Sequence, residues 1–94
     1  MNKNINISQR NIFEGEKANP QNCAIARAVK QEMKGKLRSV SVLPTHIVIK
    51  TKKNEYTAVM PKEGTNFIKR FDRGLAVNSF KLNLKFKKQF ALTQ

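Results

Sequence analysis

Cysteine is nearly missing from this chain: Cys23 stands alone among 94 residues. One thiol excludes an internal disulfide, and with it the stapled framework of small secreted domains. There is also one histidine, His46, no tryptophan, and only six carboxylates. A single Cys and a single His do not supply the three or four ligands of a metal site, so no metal and no cofactor are expected. Glu14, Glu16, Glu32, Glu55, Glu63 and Asp72 stand at no spacing that pairs two of them for acid–base work. Four scattered glycines make no phosphate-binding loop. The chain therefore reads as a non-enzymatic protein. No apolar run approaches the roughly 20 residues that span a bilayer, and the polar start Met1–Asn6 is unlike a secretory signal. The expectation is a cytoplasmic protein with no membrane partner.

What the chain has in excess is positive charge. Nineteen Lys and Arg against six acids give +13. A balance this uneven costs self-repulsion and predicts an anionic partner. Eight cations against three acids fall in residues 1–47, and eleven against three in 48–94. The charge thus belongs to the whole domain and not to a basic tail.

Residue patterning predicts an α+β domain. Ile5-Asn6-Ile7-Ser8 alternates like a short strand, with Ser8 capping a brief helical turn that ends near Gly15. Asn19-Pro20 has the chemistry of a helix start. Ile25, Ala28, Val29 and Met33 form one apolar face of a helix over 21–34, stopped at Gly35. Leu37–Leu43, His46–Thr51 and Tyr56–Met60 read as a three-stranded meander. Pro61 opens a second helix with Phe67, Ile68, Phe71 and Leu75 as its stripe and Gly74 as its stop. Phe80, Leu82, Leu84 and Phe86 alternate with Lys81, Asn83, Lys85 and Lys87 as a last strand. Phe90 and Leu92 keep the apolar parity but Lys88 interrupts it, so the strand is expected either to stop near Phe86 or to leave the sheet there, with the tail free to dock on a partner. The order β-α-β-β-β-α-β predicts a two-layer sandwich: two helices on one face of a mostly antiparallel sheet of four to five strands. Residues 1–88 are expected to form one domain and 89–94 a C-terminal tail. Ile25, Val29, Met33, Phe67, Ile68, Phe71, Leu82 and Leu84 are expected to be buried. A thin core and an open sheet face predict a homo-oligomer.

The candidate binding residues are the cations that this patterning turns outward. They are Arg27, Lys30 and Lys34 on the first helix, and Lys69, Arg70 and Arg73 on the second. Lys81, Lys85 and Lys87 share one face of the last strand. Lys50, Lys52 and Lys53 cluster at a hairpin tip, and Arg38 opens the meander. Such residues contact phosphates without reading sequence. Tyr56 is the expected stacking aromatic, since the six Phe mostly fit core positions. Cys23 reads as a packing residue, and His46 as a strand-end residue.

Several segments, taken together, resemble a small protein family of tailed bacteriophages and prophages. They are Ile5-Asn6-Ile7-Ser8-Gln9 with Ile12 and Gly15, Asn22-Cys23-Ala24-Ile25-Ala26, Tyr56 to Met60-Pro61, Phe67 to Gly74, and Phe80-Lys81-Leu82. This chain has Ala24 where family members place Pro after the Cys, and it is more basic than they are. The resemblance implies a host-cell cytoplasmic setting and action by binding. The first expectation is a nucleic acid or signalling nucleotide held by the basic surface, in countering host defence. The alternatives are an inhibitor or accessory factor acting on a host protein, and a minor virion or assembly component.

Overall fold

Side-chain parity along the strands decides the layers of this protein. In the computed structural model, which describes residues 1–89, the chain runs β1 (Asn2–Ile7), α1 (Gln9–Glu14), α2 (Ala24–Met33), β2 (Leu37–Val42), β3 (His46–Thr51), β4 (Glu55–Val59), α3 (Lys62–Asp72), β5 (Phe80–Lys85) and β6 (Lys87–Gln89). Ile5 and Ile7 of β1, Val40 and Val42 of β2, Ile47 and Ile49 of β3, and Leu82 and Leu84 of β5 all turn to one buried side. Their odd-numbered or even-numbered neighbours turn to the other.

The strands form two antiparallel sheets, β1–β5 and β2–β3–β4–β6. This is the expected α+β arrangement, with the sheet divided in two. The division falls at Phe86. Up to Lys85 the last strand pairs with β1, Asn2 standing opposite Lys85; from Lys87 it pairs with β4, opposite Thr57. Phe86 is buried at the junction, and its N–H and C=O both bond to Met1. Gln89 pairs with Glu55, so the domain edge expected after residue 88 falls inside β6. Phe90 and Leu92 lie outside the described residues.

Helix α2 packs against both outermost strands, β1 and β2. That position explains why Ala24, Ile25, Ala26, Ala28, Val29 and Met33 are all buried. The helix starts at Ala24, later than the Asn19-Pro20 signal predicts. Asn19 does cap, but it caps a preceding turn: its side chain accepts from the N–H of Gln21 and Asn22 at 3.1 and 3.2 Å. The Pro20 carbonyl then accepts from Val42 N–H at 2.9 Å, which ties that turn to β2. Lys34 ends α2 in the left-handed conformation, and Gly35 follows at φ +80°.

Helix α3 starts after Pro61, as its sequence predicts, and lays Phe67, Ile68 and Phe71 on the core. Phe67 meets Phe71 and Phe80 with ring centroids 5.6 and 4.7 Å apart. Gly64 is buried in its first turn, where a Cβ would collide with Met60 Sδ. Leu75, expected on the stripe, lies beyond the helix end and is 43% exposed. The eight residues expected to be buried all are.

Candidate functional site

The outer face of the sheets carries no helix among the described residues. Strand register places its side chains row by row. Asn2, Asn4 and Asn6 of β1 face Lys85, Asn83 and Lys81 of β5. Thr57 of β4 stands between Val48 of β3 and Lys87 of β6, and Glu55 stands between Lys50 and Gln89. Lys81, Lys85 and Lys87, expected to share a face, do share it, because Phe86 keeps the inward parity across the junction. Lys85 and Lys87 stand about 7 Å apart along the strand. The only carboxylate on this face among the described residues is Glu55, and it is 3.8 Å from Lys50. A shallow groove of about 580 Å³ crosses the face beside Val59, Pro61, Lys85 and Lys87. Val59 is 79% exposed there.

A second concentration lies where the strands end. Leu37 pairs with Thr51, and Glu55 with Gln89. The start of β2, the β3–β4 hairpin tip and the end of β6 therefore share one pole of the sheet. Topology gathers Lys34, Lys36 and Arg38 there with Lys50, Lys52 and Lys53, from segments far apart in sequence. All six are exposed.

The remaining candidates do not join this surface. Arg27 is half-buried, and its Nε is buried with no hydrogen-bond partner. Lys30 Nζ donates to Asn22 Oδ1 at 2.8 Å. Lys34, which belongs to the pole, lies past the end of α2, so the helix presents no line of three cations. Arg70 donates from Nε and Nη2 to the Ala76 carbonyl at 3.3 and 3.1 Å, and so holds the loop after α3. Lys69 and Arg73 are exposed on α3. Tyr56 belongs to the inner face: it pairs across to Lys88, is half-buried, and packs on the core. It therefore offers no stacking platform beside Lys85 and Lys87.

Among the described residues, the aromatic that does reach solvent is Phe13, 88% exposed on α1. The Phe residues are expected mostly, not all, to fit core positions, and Phe13 is an exception. Ile12 packs on the core and Phe13 faces out.

Cys23 is buried, and burial pushes its thiol above the ordinary value of 9.0, against the opposing effect of the Ala26 and Ile25 backbone N–H groups. That environment suits packing rather than nucleophilic chemistry. His46 is half-buried at the start of β3, with Nδ1 2.8 Å from Thr45 Oγ1. Among the described residues, no group of three His, Cys, Asp or Glu could hold a metal ion, and no helix is long and apolar enough to cross a membrane. Comparison of the chain with protein families, curated proteins and solved structures finds no match.

Proposed function

We propose that this protein is a nucleic-acid-binding protein that performs no chemistry on its ligand, and that it holds phosphates along the uncovered outer face of its sheets. One observation carries the reading. Lys81, Lys85, Lys87 and Lys50 lie on a face whose other residues are Asn, Gln, Ser, Thr, Val and His46, with the single carboxylate Glu55, and that face runs on to the six-cation pole. The cations are strung along strands and do not converge on a closed pocket. That arrangement suits a chain of phosphates better than a single nucleotide. The same charge opposes stacking two copies face to face, so a homo-oligomer of this protein would form through another surface. The phage-family resemblance would set the binding inside an infected cell, where it would serve against host defence.

Salt titration of binding to a fluorescent 20-bp duplex tests the reading. About five phosphate contacts predict a loss of roughly 10²–10³ in affinity between 50 and 200 mM salt. Lys85→Glu with Lys87→Glu should weaken binding far more than Lys69→Glu with Arg73→Glu on α3. Parent-like binding by the Lys85/Lys87 variant would remove the outer face from the interface.

Exposed Val59 beside Pro61 favours a second reading, in which the groove seats a host protein and the lysines steer it to an acidic surface. Under that reading Val59→Asp abolishes capture of the host protein, and duplex DNA binds without the salt slope above.

A further inference from the structure

Phe13 stands almost wholly in water on a mount that is unusually well fixed for a helix of six residues. Ser8 and Asn11 form a reciprocal cap at its start. Asn11 is buried and donates from Nδ2 to Gln31 Oε1 at 3.1 Å, which ties α1 to α2. At its end Gly15 lies so close to α2 that a Cβ there would come within 2.8 Å of Ala24 Cα. The helix that carries the ring is thereby already ordered, so stacking against a ligand does not also have to order its backbone.

Beside it, between α1 and α2, opens a polar cleft of about 300 Å³ lined by Arg10, Asn11, Glu14, Arg27, Lys30 and Gln31. Three cations face one carboxylate there, and Glu14 is already bonded to Arg10 at 3.2 Å. The buried Arg27 Nε has no acceptor, so the guanidinium adds positive charge that no protein group answers. Gln31 also lines a neighbouring groove with Asn6 and Ser8, and Asn6 stands opposite Lys81 on the outer face. That neighbouring groove also carries Glu32, so the cleft is a positive site of its own beside the outer face.

We infer that α1 and α2 form a contact site for single-stranded nucleic acid, in which an unpaired base stacks on Phe13 and an adjacent phosphate lies over the cleft of Arg10, Arg27 and Lys30. This rests on the nucleic-acid reading and narrows it. Paired bases have no free face to offer Phe13, so the site favours single strands over duplex. Stacking on an aromatic tolerates any base, so the preference is for strandedness and not for sequence.

The test uses two labelled probes, (dT)20 and a 20-bp duplex, with the full chain at 50 mM salt. Phe13→Ala should lower the affinity for (dT)20 by about 5- to 150-fold. It should lower duplex affinity less, so that the single-strand to duplex ratio falls at least about fivefold. Because the chain has no tryptophan, Phe13→Trp installs a lone reporter that keeps the stacking surface. Its fluorescence should be quenched by saturating (dT)20, with affinity near that of the parent. An unchanged affinity ratio in Phe13→Ala, or an unquenched Trp at saturation, overturns the inference while the duplex salt slope still stands. If the parent binds neither probe, the nucleic-acid reading fails first and this one with it. A Phe13→Ala variant that loses a captured acidic protein but keeps both oligonucleotides assigns the ring to a protein partner and also overturns it.

Discussion

At the residue scale, two positions are set by space rather than by propensity. Gly64 lies in the first turn of α3, where alanine would raise helix propensity by about 1 kcal/mol. Its Cβ would instead meet Met60 Sδ, and overpacking of this kind costs about 1–3 kcal/mol. Gly64→Ala should therefore lower stability in urea melts, and trimming Met60 to Val in the same chain should recover part of the loss. Cys23 is the second. Cys23→Ser places a hydroxyl in an apolar site and should cost about 1–3 kcal/mol without changing oligonucleotide affinity. The thiol's pH dependence has a definite sign. Its folded pKa is raised above 9.0 by burial, so its contribution to stability is complete below the unfolded value and is lost as pH rises through the folded one. The stability difference between the parent and Cys23→Ala should accordingly shrink between pH 8 and pH 10 in denaturant titrations.

At the element scale, α1 depends on Asn11 for both its cap and its tie to α2. Asn11→Ala should cost about 1–2 kcal/mol and loosen Phe13, seen as faster amide exchange through residues 9–15. Elements with a local signature were legible beforehand: the Ser8 cap, β3 from His46 to Thr51, Pro61 before α3, and the departure of the last strand at Phe86. Three features were not, each for a tertiary reason. The start of α2 moved because Pro20 bonds to β2. Tyr56 turned inward because its pairing with Ile49 and Lys88 puts it on the core side of β4. Arg70 stays exposed, but its guanidinium is engaged by the Ala76 carbonyl and holds the loop after α3. The basic face was partly legible, since period-2 alternation is a local signal. The basic pole was not, because only strand register brings residues 34–38 beside 50–53.

At the scale of the whole molecule, nineteen cations and six acids form only two ion pairs among the described residues. Repulsion between exposed lysines is screened by salt. Raising NaCl from 20 to 300 mM should therefore increase Tm, by about 4–8 °C for each kcal/mol of repulsion removed, even as it weakens nucleic-acid binding. Opposite responses of stability and affinity to one variable would separate charge held for a ligand from charge that serves folding. The pairing of β1 with β5 has a consequence in time. Ile5 and Ile7 are made long before their partners Leu82 and Phe80. At about 5–20 residues per second, β1 waits roughly 4–15 s on the ribosome with its apolar side uncovered. The β3–β4 hairpin closes locally and has no such delay. Ile49→Val should thus slow refolding, whereas Ile5→Val should mainly speed unfolding in stopped-flow chevrons. Until β5 emerges to pair with it, the uncovered apolar side of β1 is the surface a chaperone would hold.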